Sequence, residues 1–214
     1  MKLTRILSIL VICLFLSTNT FAFGVPKLGG GGGSKVDVDA LVNDQSALLK
    51  QVSAALLSLA QSQSIMAGAL GLKEQAAIAN QNASALEAGD LTGKDDMEKQ
   101  ISSSQEINDS ILAGLAESEG MSAESKAEFA KSLAPYGKGA VGLVTSSKTA
   151  AEKAKSLSGT KDFTVLKKLG TLLSFSKKAP GLISSFTSAT GGIIKFSKAN
   201  GIDTAELESE TAAW

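Results

Sequence analysis

Between Val38 and Ala69, apolar side chains return at alternating three- and four-residue steps: Val38, Leu41, Leu48, Val52, Ala55, Leu59, Met66 and Ala69, with Gln45 and Ser62 at two positions of the same series. A seven-residue repeat leaves such a stripe one way out of water, a long helix laid against other helices. The spacing predicts a helix over 39–70. Asp37 and Asp39 stand where acids cap free N–H groups and complement the helix dipole. A calcium loop is a poor reading of that pair, because the glycine and distal glutamate of an EF-hand are missing. Gln51 to Leu72 carries no charge over 22 residues, enough to cross a bilayer. Gln51, Ser53, Ser58, Gln61, Ser62, Gln63 and Ser64 make it read instead as a helix buried in protein.

The rest of the chain follows the helical period. Lys73–Glu87 is alanine-rich and weakly amphipathic, and Gly89-Asp90 with Thr92-Gly93 breaks it. A helix over 95–119 shows the stripe Met97, Ile101, Ile111 and Leu115, flanked by Ile107 and Leu112. Ser122 opens the next, and Ser125-Lys126-Ala127-Glu128 has the form of a capping box. Phe129 and Leu133 face inward, and Pro135 is expected to kink or end the helix. Gly137, Gly139 and Gly142 permit close backbone approach before a helix through Leu157, and Ser158-Gly159-Thr160 breaks the chain. Phe163, Val165, Leu166, Leu169, Leu172 and Leu173 form one amphipathic stripe. Leu182, Ile183, Phe186, Ala189, Ile193 and Ile194 form a second, with Pro180-Gly181 read as a turn between them. Alternating β-branched runs are missing, so strands have little support. The expected fold is all-α: an antiparallel helical bundle of about five to seven helices with a coiled-coil-like seam.

Ahead of this region, Lys2 and Arg5 precede the apolar run Ile6–Leu16, and Thr20-Phe21-Ala22 ends on a small residue, the pattern of a cleaved secretory signal peptide over 1–22. Residues 23–35 contain five consecutive glycines, Gly29 to Gly33, and read as a flexible tether. Ser34 precedes Lys35, so the run lacks the order of a phosphate-binding loop. The predicted organisation is signal peptide 1–22, linker 23–35, helical bundle 36–200 and acidic C-terminal tail 201–214. The expected location is periplasmic or secreted.

Cys13 lies inside the predicted leader, so the mature chain would have no thiolate chemistry, and histidine is absent from the whole sequence. Histidine-based catalysis and histidine or thiolate metal sites are therefore excluded. The carboxylate groupings Asp95-Asp96 with Glu98, and Glu117 with Glu119, sit at expected helix ends. S-x-x-K occurs at Ser158–Lys161 and Ser174–Lys177 without the partner motifs of the penicillin-binding families. Asn82 and Asn108 carry N-x-[ST] patterns, expected by chance in so serine-rich a chain. The reading is of a non-enzyme with no catalytic, cofactor or metal site.

Charge is segregated. Residues 36–130 hold 15 acids against 5 bases, residues 131–200 hold 12 lysines against Glu152 and Asp162, and the last fourteen residues hold four acids and no base. Either the acidic half docks on the basic half, or the basic half faces an anionic partner. The second reading singles out Lys167, Lys168, Lys177, Lys178, Lys195 and Lys198 on a basic amphipathic hairpin, 161–198, as lipid or anion contacts. The functional expectation is an exported protein of the bacterial envelope that binds a protein or envelope partner. The alternative is a membrane-acting helical protein, lipid-binding or pore-forming-like, using that hairpin. Candidate partners are an envelope protein, anionic lipid or cell-wall polymer, and self-association is compatible with either reading. Nucleic acid is not expected, since the composition shows no basic excess.

Overall fold

A computed structural model describes residues 38–118, 120–157 and 162–212. The predicted leader, the glycine tether, the break at 158–160 and Trp214 lie outside the described residues. Seven helices follow in order: α1 Val38–Ala69, α2 Lys73–Glu87, α3 Lys94–Glu117, α4 Ala123–Ser156, α5 Phe163–Lys168, α6 Gly170–Ala199 and α7 Ala205–Thr211. The described residues are all-helical, with no strand.

α1 is built as its repeat requires. Leu41, Leu48, Val52, Ala55, Leu59 and Met66 are buried. The two polar positions of the seam are satisfied rather than solvated. Ser62 donates to Ser58 O at 2.8 Å and Leu59 O at 2.9 Å. Gln45 donates to Lys168 O at 3.1 Å and accepts from Leu172 N–H at 3.0 Å. No described helix is long and apolar enough to cross a membrane, in keeping with the reading of Gln51–Leu72 as helix buried in protein. The helix stops where Gly71 turns left-handed, φ 77°. Leu72 N–H then reaches back to Ala67 O at 2.8 Å and Gly71 N–H to Gly68 O at 3.0 Å, a Schellman ending that only glycine adopts without strain.

The turn expected at Pro180-Gly181 needs correction, and of the two outcomes expected at Pro135 the structure excludes the helix end. Pro135 lies inside α4 and Pro180 inside α6, and neither ends its helix. An interior proline loses a backbone hydrogen bond and costs about 3 kcal/mol. Each of these helices carries a buried stripe on both sides of the proline, which offsets that cost. In α6 the stripe is Leu172, Phe175 and Ala179 before Pro180, then Leu182, Phe186, Ala189 and Ile193 after it. Full burial of such large side chains stabilises by roughly 1.5–3 kcal/mol each. Pro180-Gly181 is therefore no turn, and the predicted hairpin does not form: α5 is a separate short helix and α6 a single rod. The cap of α4 also differs from the expected box. Ser122 is the N-cap, its Oγ accepting Ser125 N–H at 3.0 Å.

α4 runs back along α1: Asp44 meets Lys153 near one end, and Ala55 meets Gly139 and Gly142 near the middle. The contact at Gly139 is backbone to backbone. A Cβ there would lie 2.8 Å from both Ala55 O and Leu59 N. On another face of α4, a Cβ at Gly137 would lie 2.9 Å from Leu207 Cδ1 of α7, and Leu207 is fully buried. The C-terminal acidic segment is thus helical over 205–211 and docked on α4.

Two glycine substitutions separate these roles. Gly139→Ala forces α4 off α1, and overpacking of this kind costs about 1–3 kcal/mol. Gly181→Ala places its Cβ in open space within an exposed helical turn, and is expected to stabilise by up to about 1 kcal/mol. Urea unfolding followed by circular dichroism checks both, and a loss of stability in Gly181→Ala would restore the turn at 180–181.

Candidate functional site

The six lysines named from the sequence divide into two groups. Lys178 pairs with Glu98 Oε2 of α3 at 3.3 Å, and Lys198 with Glu208 Oε1 of α7 at 2.7 Å. Lys167, Lys168, Lys177 and Lys195 are exposed, and no ion pair to them occurs among the described residues. They do not form one cluster. Lys167 and Lys168 end α5, whereas Lys195 stands near the far end of α6, some 27 residues or about 40 Å along the helical path.

The apolar face expected to meet lipid beside those lysines is in the core. Leu169, Leu172, Phe175, Leu182, Phe186 and Ile193 are all buried, because α6 packs on α3 and α4. Phe163 is the exception. The sequence places it on the inward stripe, yet it opens α5 and is 78% exposed. At the first helical position its ring sits ahead of the turn that Val165 and Leu169 bury.

Charge segregation resolves in part as internal docking. Lys153 pairs with Asp44, Lys178 with Glu98 and Lys138 with Glu206 at 4.0 Å, joining helices from oppositely charged parts of the chain. Glu98 is the most heavily engaged of these acids. The Ser174 hydroxyl donates to it, and Lys94 lies 3.9 Å away. The Ser174 hydrogen bond holds the Glu98 carboxyl below its ordinary range against the opposing effect of partial burial, with Lys178 adding to the lowering. This arrangement also absorbs one S-x-x-K match: Ser174 serves Glu98, and Lys177 points to solvent. The other match reaches outside the described residues, as does Glu119. Asp96 accepts from Thr92 Oγ1 at 2.7 Å and Thr92 N at 3.2 Å, and these bonds lower its pKa. Asp162 caps α5 through Thr164 N–H at 2.9 Å.

The core holds a polar layer that sequence reasoning missed. Gln63 of α1 donates to Ser104 O at 2.7 Å and Asn108 Oδ1 at 2.8 Å, and Ser104 Oγ donates back to Gln63 Oε1 at 3.2 Å. Tyr136 of α4 is fully buried beside Asn108 and Thr190 of α6. Burial pushes its phenol well above the ordinary tyrosine range, and those two neighbours offset only part of the shift. No hydrogen bond of normal geometry reaches Tyr136 OH or Asn108 Nδ2. The N-x-[ST] sites are likewise structural: Asn108 is buried, and Asn82 donates to Ser103 Oγ at 2.8 Å.

Two shallow grooves lie between α1 and α4. One, of about 380 Å³, is lined by small and polar side chains around Ala55, Gly142 and Lys138; the other, of about 360 Å³, by Ile65, Gly68, Glu124 and Glu128 among others. The second groove carries Glu124, Ser125 and Glu128, and Ser125 there is hydrogen-bonded to Ser122 at the N-terminus of α4. Among the described residues no group of three or more potential ligands is placed to hold a metal. Comparison with family models, curated proteins and solved structures finds no match to the chain.

Two measurements test the assigned roles. Glu98 has a folded pKa below its ordinary 4.5, so its stabilising effect is present above that value and is lost as pH falls through the lower folded value. Glu98→Gln should therefore lower stability at neutral pH and flatten part of the loss on acidification, read from urea midpoints against pH. In the core, Tyr136→Phe removes a hydroxyl that makes no well-formed bond and should change stability by less than about 1 kcal/mol. Gln63→Leu strands Asn108 and Ser104 and should cost about 2–3 kcal/mol by the same measurement.

Proposed function

We propose that the chain is an exported, non-catalytic protein of the bacterial envelope, an antiparallel helical bundle with a heptad seam along α1 that acts by binding a protein or envelope partner. Export is argued from the leader pattern at 1–22 and the glycine tether behind it. The observation that carries the binding role is the employment of the reactive groups. Ser174 serves Glu98, Asp96 serves Thr92, Asp162 caps α5, and Tyr136 lies in the core. Several side chains capable of acid–base or nucleophilic chemistry thus support helices, while exposed lysines have no ion partner among the described residues.

The test is expression of the full chain with a C-terminal tag in a Gram-negative host, followed by fractionation, intact-mass measurement and in-cell cross-linking. The expected result is a chain beginning at Phe23 in the periplasmic or secreted fraction, cross-linked to an envelope component. A full-length chain retained in the cytosol overturns export, and an exported chain that cross-links to nothing overturns the binding role.

A further inference from the structure

A single exposed apolar side chain is ordinary on a protein surface, but Phe163 has informative neighbours. Lys167 lies one turn along α5 on the same face, and Lys168 follows it. The end of α5 is fixed to α1 by Gln45, which bonds to Lys168 O and Leu172 N–H on either side of the α5–α6 junction. The adjacent Asp44 takes Lys153 of α4. The end of α5, with exposed Lys167 and Lys168, is thereby held beside the first turns of α1. Asp44 is occupied by Lys153 and Asp162 by the α5 amides. Glu152 is the exposed acid on the last turns of α4. An aromatic ring in water thus shares α5 with Lys167 and Lys168, neither ion-paired among the described residues.

We propose that this face of α5, Phe163 with Lys167 and Lys168, is a docking surface for an anionic lipid membrane. The ring enters the boundary between headgroups and acyl chains, and the lysines face lipid phosphates. The ring decides the partner. It gains by leaving water for an acyl boundary, a gain that a hydrated polyanion does not offer. The surface requires no helix to leave the core, so the buried stripes of α5 and α6 stay in place. The proposal deepens the binding role by naming the partner class.

The test is co-sedimentation of the purified protein with phosphatidylglycerol vesicles and with phosphatidylcholine vesicles, at low and high salt. Binding to the anionic vesicles alone, weakened by salt, is expected. Lys167→Gln and Lys168→Gln should each weaken it about fivefold, and Phe163→Ser at least about tenfold. Lys195→Gln, remote from α5, should leave it unchanged. Circular dichroism confirms that the variants fold. Absence of vesicle binding overturns the proposal, as does binding that ignores Phe163→Ser, which would mark a general polyanion surface. Salt-sensitive self-association without vesicles, lost in the same variants, would reassign the surface to a second copy of the chain. Failure on any of these counts leaves the export and cross-linking results standing, since those are read without vesicles.

Discussion

The close approach of α4 to α1 at Gly139 is the contact on which the other helices depend. With only a hydrogen there, the α4 backbone rests on Ala55 O and Leu59 N. The flanking residues Tyr136, Ala140 and Leu143 are buried, as are Leu56 and Leu59 of α1. The core is assembled from many alanines, serines and glycines, which bury little area each. Stabilisation must then come from the closeness of backbones and the continuity of contact. α4 tolerates an interior proline and several helix-weakening glycines because those glycines admit its neighbours, α7 at Gly137 and α1 at Gly139 and Gly142.

A close-packed stack of small residues has a further difficulty: many sliding arrangements bury similar area. The polar layer addresses it. Gln63, Ser104, Asn108, Tyr136 and Thr190 come from four different helices and meet at one level of the core. Shifting α3 by one turn along α1 would strand the Gln63 carboxamide in an apolar setting, at a cost of several kcal/mol. Gln45 adds a half-buried bridge at the α5–α6 junction, bonding Lys168 O and Leu172 N–H.

Much of the helical pattern was legible because it depends on period. The stripes of α1 and α3 and the break at Gly89 follow from spacing and glycine alone. What failed was the reading of Pro180-Gly181 as a turn, since the offsetting burial of Phe175, Leu182 and Phe186 depends on helices distant in sequence. The polar layer was illegible for a related reason. Gln63 looks like any solvent-facing glutamine until Ser104 and Asn108 are placed against it. Phe163 was misread because the periodic stripe was carried to the first residue of α5, which stays exposed. Of the lysines, the sequence gives the residues but not their partners, and Lys178 and Lys198 turned out to face Glu98 and Glu208.

Charge segregation along a chain is often taken as a signal about external partners. Here it first solves an internal problem. A helical array with few large side chains gains from ion pairs that tie α1 to α4 and α3 to α6. Asp44–Lys153 and Glu98–Lys178 are those pairs. Only the lysines left over after those pairs can speak about partners, and they are unevenly placed. Those at α5 share their end of the molecule with an aromatic ring outside the core, whereas Lys195 has no such companion. A surface is therefore better sought from what internal pairing leaves unused than from the total charge of the segment, and that remainder points to α5.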